Sequence, residues 1–240
     1  MQSGDAPNAI TDPDQLPLDI PVEPSFAEED FVKADANLEA RTLIQSLAWP
    51  TPIGLIVGEK GAGKTHLAHI AAASARNAAW VGVGEPLPPS PPSGRYDLVI
   101  LDGMERWLPE NEDAFFHVLE AAKTNQIPVL VTTERAPENL GLKRPDIASR
   151  LRAGIRAEIT RPDDTLFTAI TFKLFTDRQL LVDPSICAYL LDRIERSYAN
   201  LSQLIAQIDS QALAKGRAIT KPLAREVLDG YRPPGDEASG

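Results

Sequence analysis

The chain has 240 residues, of which 43% are apolar and 24% are charged. This balance is typical of soluble globular proteins and excludes a chain that is disordered throughout. The formal net charge of −10 argues against a protein that coats DNA, because attraction to phosphates requires an excess of lysine and arginine. The single cysteine, Cys187, excludes an intrachain disulfide framework and favours a reducing compartment. With no apolar run as long as a membrane span and no signal-like N-terminus, we expect a cytoplasmic protein without a membrane partner.

The N-terminal segment differs from the rest of the chain in charge and proline content. Residues 1–32 contain eight acidic residues and no lysine or arginine, and five prolines lie within the first 24 residues. Such a segment buries too little apolar surface to offset the entropy of ordering. We therefore predict a disordered acidic tail over residues 1–25, and a second, short one over residues 233–240.

The middle of the chain alternates between short apolar runs and helical periods. The runs predict β-strands at residues 53–58, 80–83, 97–102, 128–132 and 155–159. Apolar residues at helical spacing predict helices at residues 64–75 and 111–124. Strands that alternate with helices favour an α/β fold, with a parallel sheet covered by helices on both sides. A proline-rich stretch, residues 86–94, is predicted to be a surface loop.

The pattern changes after Arg161. Apolar stripes at helical spacing continue to about residue 228, and no strand pattern is evident. Asp183 followed by Pro184 is a typical helix start, and Gly216 is a typical helix end. We predict two domains, an α/β domain over residues 26–161 and a small all-helical lid over residues 162–232.

A phosphate-binding motif follows the first predicted strand. Residues 58–65 match the pattern G-x-x-x-x-G-K-[ST] completely and precede a predicted helix. Glycines let the backbone wrap around phosphate oxygens, and the amides at the helix N-terminus point at the anion. The lysine reaches the outer phosphates and the threonine hydroxyl binds Mg²⁺. The predicted nucleotide-binding residues of this loop are Gly58, Glu59, Lys60, Gly61, Ala62, Gly63, Lys64 and Thr65.

An acidic residue ends the third predicted strand beside this loop. Asp102 is placed to hold Mg²⁺ together with Thr65, as a Walker-B aspartate does. Many hydrolysing P-loop ATPases have a second acid immediately afterwards, whereas Gly103 stands there in this chain. We therefore expect weak ATP hydrolysis by the chain alone, with Glu105 as the nearest further carboxylate.

Several segments in order resemble DnaA-type replication initiators of the AAA+ superfamily. The P-loop run Gly-Ala-Gly-Lys-Thr-His-Leu, the segment beginning at Asp30, the run from Val129 to Pro137 and the run Asp-Ile-Ala-Ser-Arg-Leu at 146–151 each have a counterpart there. The resemblance implies a P-loop AAA+ domain with a helical lid. It also assigns roles to individual residues. Adenine or nucleotide contacts fall on Phe31, Val32 and His66, sensor residues on Thr132 and Thr133, and an arginine finger on Arg150.

One peptide in the acidic tail resembles a motif that binds the DNA polymerase sliding clamp. It runs from Gln15 to Ile20, and its expected clamp-binding residues are Gln15, Leu16, Leu18 and Ile20. Pro17 extends this peptide and restricts Leu16 to extended conformations. From this sequence we expect neither the helix-turn-helix domain nor the N-terminal domain of the initiators.

A clamp-binding peptide joined to an initiator-like AAA+ module resembles the Hda family, which acts in regulatory inactivation of the DnaA initiator. The resemblance implies a negative regulator of chromosomal replication that binds ADP or ATP with Mg²⁺. It would dock on the DNA-loaded clamp and stimulate ATP hydrolysis by the initiator through Arg150. One departure concerns the sensor-2 arginine of the initiators. Ala199 stands in its place, with Arg196 three residues earlier, so the preference between ADP and ATP stays open.

The sequence leaves two alternative functions open. The chain would be an autonomous P-loop ATPase or small-molecule kinase if Lys64 and Asp102 served its own catalysis. It would be a DnaA-like initiation factor if it bound DNA itself, which the acidic charge argues against. The leading hypothesis includes no direct specific DNA binding, and it leaves a homodimer possible.

Overall fold

The computed structural model describes residues 26–81, 95–161, 163–195 and 197–232. The two predicted tails, the predicted proline-rich loop at 86–94 and Arg196 lie outside these described residues. The α/β part contains, in chain order, helix α1 (Leu38–Gln45), strand β1 (Ile53–Gly58), helix α2 (Lys64–Ser74), strands β2 (Ala78–Val81) and β3 (Leu98–Leu101), helix α3 (Met104–Asn125), strand β4 (Val129–Thr133), helix α4 (Pro145–Ala153) and strand β5 (Ile155–Ile159).

The five strands form one parallel sheet in the order β2-β3-β4-β1-β5. Every residue of β1, β3 and β4 is buried, because helices cover both faces, as parallel sheets require. Alternate residues of the strands enter two cores. Leu55 packs in the core that contains α3 and α4, whereas Ile56 packs in the core that contains α1 and α2. The α/β fold with a parallel sheet is therefore confirmed.

Two helical features differ from the sequence prediction. Helix α1 was not predicted. Helix α3 begins at Met104, seven residues before the predicted start, and is kinked at Asn111, whose φ of −129° is not helical. The Asn111 side-chain amide donates to the carbonyl of Trp107 at 2.8 Å and so satisfies a backbone group at the kink. Pro109 lies inside the helix. Proline usually breaks helices, so at this position the sequence favours a helix boundary.

Four helices follow β5 in the described residues and form the lid. They are α5 (Asp164–Asp177), α6 (Pro184–Leu191), α7 (Tyr198–Ala214) and α8 (Lys221–Gly230). A side-chain oxygen caps each N-terminus, and the capping residues are Asp163, Asp183, Ser197 and Thr220. The lid buries its own apolar cluster, which includes Phe167, Phe175, Leu190 and Leu204, and this confirms the predicted helical lid. None of the helices in the described residues has the length and apolar character needed to cross a membrane.

Residues 26–37 precede α1 and are called the strap below. They contain two short 3-10 turns, Glu28–Asp30 and Asp35–Asn37. Asn37 is buried, and its side-chain amide donates to the carbonyl of Val32 at 2.9 Å. The backbone N–H of Thr160, just after β5, donates to the carbonyl of Ala36 at 2.9 Å. The strap is thereby fixed to the end of the edge strand next to the lid.

Candidate functional site

The loop between β1 and α2 has a conformation that requires glycine. Gly61 and Gly63 adopt φ values of +78° and +94°, in the left-handed region that other residues rarely occupy. A Cβ atom on Gly63 would also stand 3.1 Å from the ring of Phe31. Gly63 caps the N-terminus of α2, where free backbone N–H groups and the helix dipole favour an anion.

Lys64 places a cation at this helix N-terminus. The residue is only 8% exposed, and its Nζ donates to the carbonyls of Gly58 at 2.8 Å and Glu59 at 2.9 Å. Burial lowers the pKa of Lys64, and the carboxylates of Glu134, Glu105 and Asp102 partly offset this effect. An anionic ligand would offer the ammonium group a stronger partner than the two neutral carbonyls.

Asp102 joins the loop to the neighbouring strand β4. Its Oδ2 accepts a hydrogen bond from Thr65 Oγ1 at 2.9 Å, and its Oδ1 accepts one from Thr132 Oγ1 at 2.5 Å. The Thr132 hydroxyl in turn accepts from the backbone N–H of Gly103 at 2.9 Å. Hydroxyl and carboxylate oxygens are the protein ligands that Mg²⁺ prefers, so Thr65 and Asp102 fit the expected metal.

The two predicted sensor threonines face different partners. Both are fully buried, but the Thr133 hydroxyl bonds to the backbone of Arg135, donating to its carbonyl and accepting from its N–H. Successive side chains of a strand point to opposite faces. The structure therefore brings Thr132 together with Asp102 and Thr65, and it places Thr133 in the turn that follows β4.

Gly103 is tied to Arg106 by close packing. Its φ is +66°, and an added Cβ would stand 2.4 Å from the Arg106 guanidinium. A second acid immediately after Asp102 would therefore require both a strained backbone and movement of Arg106. Glu105 Oε2 accepts the backbone N–H of Glu134 at 3.1 Å, so this carboxylate is held by the turn that follows β4.

The strap covers the start of α2 with aromatic rings. Phe31 meets His66 edge-on with ring centroids 5.1 Å apart, and Phe26 stacks on His69 at 4.0 Å. The His66 ring nitrogen Nε2 is hydrogen-bonded to the carbonyl of Ala27 at 2.8 Å. Phe31 and His66, predicted separately from the sequence, therefore lie together beside Gly63.

The remaining loop positions differ in exposure. Glu59 and Lys60 are exposed, whereas Ala62 is partly buried. Glu59 Oε1 accepts a hydrogen bond from Arg161 Nε at 2.8 Å, at the point where the chain enters the lid. A Cβ on Gly58 would approach Ile159 of the edge strand to 3.1 Å, so this glycine permits close packing of β5.

Arg150 occupies the last turn of α4. Ile147 and Leu151 of the same helix are buried in the core, and the Arg150 side chain is 30% exposed. Its guanidinium forms an ion pair with Glu120 and lies 4.9 Å from the centroid of the Phe116 ring. The arginine is therefore held in one orientation by α3.

Glu112 is a supporting residue that the sequence interpretation missed. It is 9% exposed, and its two carboxylate oxygens accept the backbone N–H groups of Lys143 at 2.9 Å and Arg144 at 2.7 Å. These contacts fix the segment that leads into α4. A glutamate next to other acids on a predicted helix carries no sequence signal for such a role.

The predicted clamp-binding peptide belongs to the acidic tail. Gln15, Leu16, Leu18 and Ile20 lie outside the described residues.

Parts of this chain are similar in sequence to known proteins. Residues 173–228 match the family model described as the lid domain of Hda. The chromosomal replication initiator protein DnaA of Lactobacillus delbrueckii subsp. bulgaricus is 25% identical over 134 residues, which cover 55% of this chain and 30% of that protein. DnaA of Lactobacillus johnsonii matches to the same extent. The chain thus spans about a third of the length of the curated relatives it matches.

Solved structures show the same fold. Domain III of the Thermotoga maritima replication initiation protein DnaA superimposes with a TM-score of 0.76 at 16% identity, covering 88% of this chain and 99% of that one. AMPPCP-bound DnaA from Aquifex aeolicus superimposes with a TM-score of 0.66 at 20% identity, covering 87% of this chain and 71% of that one. The chain therefore has the fold of DnaA domain III, and its residues 173–228 are similar to the lid domain of Hda.

Replacing the Thr132 hydroxyl tests the hydrogen-bonded link between β3 and β4. Thr132→Val leaves the buried N–H of Gly103 without its acceptor and should lower the free energy of unfolding by about 1–3 kcal/mol. Thr132→Ser, which keeps the hydroxyl, should lose less than half as much. Chemical denaturation of the three proteins measures the difference, and equal stabilities of the Val and Ser variants would contradict the assigned bonds.

Proposed function

Starting from a DnaA-like AAA+ module with an Hda-type lid, we propose that this chain is a nucleotide-bound negative regulator of chromosomal replication initiation. It docks on the DNA-loaded sliding clamp and stimulates ATP hydrolysis by the DnaA initiator. The observation that carries the proposal is the match of residues 173–228 to the Hda lid model in a chain with the fold of DnaA domain III.

Several features support nucleotide binding at the start of α2. The Gly63 cap, the free N–H groups of the helix and Lys64 converge on one point. DnaA from Aquifex aeolicus, which has the same fold, is bound to AMPPCP. We assign ADP or ATP to this site, with Mg²⁺ held by Thr65 and Asp102. The metal would neutralise phosphate charge next to Lys64.

The arrangement around Gly103 supports weak hydrolysis by the chain itself. The position after Asp102 holds no carboxylate to polarise an attacking water, and Arg106 fills the space beside it. The bound nucleotide then serves to hold the module in its working shape, and the ATP that is cleaved belongs to the initiator.

Arg150 is the group that we assign to the initiator's ATP. Its helix α4 is anchored in the core by Ile147 and Leu151, while its own side chain is partly exposed. A guanidinium that reaches the γ-phosphate of a partner stabilises the negative charge that spreads in the transition state. In the complex, the initiator's triphosphate would replace Glu120 as the partner of Arg150.

The clamp-binding peptide would hold the protein on the clamp and would take no part in ATP hydrolysis. Gln15 and the apolar residues Leu16, Leu18 and Ile20 would bind a groove on the clamp. Tethering raises the local concentration of the module near the initiator on the same DNA.

Removing the Lys64 ammonium tests the nucleotide site. Lys64→Ala should weaken ADP binding by at least about tenfold, because a charge-assisted contact to phosphate is lost. Lys60→Ala, at an exposed position of the same loop, is the matched control and should bind normally. Calorimetry giving equal affinities for Lys64→Ala and the wild type would remove the phosphate-site assignment.

Removing the Arg150 guanidinium tests the finger. Arg150→Ala should fold and bind nucleotide normally, and it should lower stimulation of the initiator's ATPase by about 10³-fold or more. Arg152→Ala removes an exposed charge from the same helix turn and should retain stimulation. Undiminished stimulation by Arg150→Ala would move the finger to another arginine, with Arg144 and Arg152 as the first candidates.

Changing the tail peptide tests clamp binding. Gln15→Ala combined with Leu16→Ala should abolish capture by the sliding clamp. Asn8→Ala combined with Ile10→Ala changes an amide and an apolar residue elsewhere in the tail, and it should leave capture intact. Equal pull-down of both variants by the clamp would refute the motif.

A further inference from the structure

Two adjacent residues of the strap contact the two domains. The ring of Phe31 lies against Gly63 and His66 at the start of α2. The preceding residue, Asp30, accepts a hydrogen bond on Oδ1 from Nζ of Lys173, in lid helix α5, at 2.8 Å. The strap therefore joins the phosphate-binding loop to the lid within the length of a dipeptide.

The strap is itself fixed to the α/β domain on both sides of Asp30. The carbonyl of Ala27 is hydrogen-bonded to His66 at 2.8 Å, and the carbonyl of Ala36 accepts from the N–H of Thr160 at 2.9 Å. Asp30 thus belongs mechanically to the α/β domain. Any opening of the lid away from the α/β domain must separate Lys173 from it.

Lys173 sits in a sheltered cluster of charges. Its side chain is 24% exposed and that of Asp30 is 31% exposed, and Lys173 also contacts Asp177 of its own helix at 2.7 Å. Burial lowers the pKa of Lys173, but the hydrogen bonds to Asp177 and Asp30 outweigh this effect and raise it. The lysine therefore remains protonated at neutral pH.

A second ion pair lies where the chain leaves the α/β domain for the lid, and it is much more exposed. Arg161 pairs with Glu59 at 2.8 Å, but the two side chains are 82% and 60% exposed. Ion pairs that are this exposed contribute little, because water and salt screen them. The Lys173–Asp30 pair is the stronger candidate for holding the lid.

We propose that the Asp30–Lys173 ion pair is a latch that holds the lid against the strap, and that these two residues are positioning residues that set how fast a bound nucleotide leaves. The inference rests on the proposed nucleotide site at α2. A nucleotide held between that helix and the lid escapes when the lid opens, and opening breaks the pair. Neither residue needs to touch the nucleotide to have this effect.

A double-mutant cycle on the dissociation rate tests the latch. A fluorescent ADP analogue is bound to the full chain and chased with excess ADP. Asp30→Asn and Lys173→Gln should each raise the dissociation rate by about twofold to fivefold, which is the upper part of the range measured for ion pairs at protein surfaces. The double variant should dissociate no faster than the faster single variant, because both changes remove the same interaction.

Salt dependence and a matched variant separate the latch from general loosening of the fold. The wild-type dissociation rate should rise with ionic strength, and that of Asp30→Asn should rise less. Lys215→Gln breaks a pair with Glu226 inside the lid, where the two groups are 2.6 Å apart, and it should dissociate like the wild type.

The outcomes distinguish the latch from the site on which it depends. Tight binding of the analogue with unchanged dissociation in Asp30→Asn would overturn the latch and leave the nucleotide site standing. Additive effects in the double variant, or an equal effect of Lys215→Gln, would also overturn it. A wild-type chain that does not bind the analogue would overturn the nucleotide site and the latch together.

Discussion

Positive charge at the N-terminus of α2 is the feature around which the rest of the molecule is arranged. Gly63, at the N-cap of α2, has a left-handed conformation, and Lys64 adds a buried ammonium that donates to two backbone carbonyls. Burying a charged ammonium group costs free energy, and an anion bound beside it would reduce that cost. Phe31 of the strap and Asp102 both contact this region, and the residue before Phe31, Asp30, bonds to Lys173 of the lid.

The second constraint, in the function that we propose, is the division of catalytic groups between two molecules. Asp102, Thr65 and Thr132 form a hydrogen-bonded set that suits binding of a metal and a phosphate, and the position directly after Asp102 is Gly103 rather than an acid. Arg150 is held instead by Glu120 and Phe116, on the surface of α3. In our proposal this separation is the mechanism, because a chain that retains its own nucleotide acts on the nucleotide of its partner.

Periodicity and local signals were sufficient to predict the parallel sheet, the helical lid and the glycine-rich turn before α2. Fully apolar runs predict buried strands wherever helices cover both faces, and Asp183 capped its helix as expected. The sequence interpretation missed features of α3 that depend on particular side-chain hydrogen bonds. The kink at Asn111 depends on a side-chain bond to Trp107, and Glu112 acquires its role from a segment about thirty residues away. Thr132 and Thr133 look equivalent in sequence, and the register of β4 separates them.

In the function that we propose, this chain provides a guanidinium to ATP that is bound by the initiator. The most direct measurement loads the initiator with labelled ATP and follows its conversion to ADP with this chain, the sliding clamp and DNA together, and then with each component left out. We expect the initiator's ATP to be converted rapidly to ADP in the complete mixture, and slowly when the chain or the DNA-loaded clamp is omitted. Rapid ATP consumption by the chain alone, or initiator turnover that is the same with and without it, would contradict the claim.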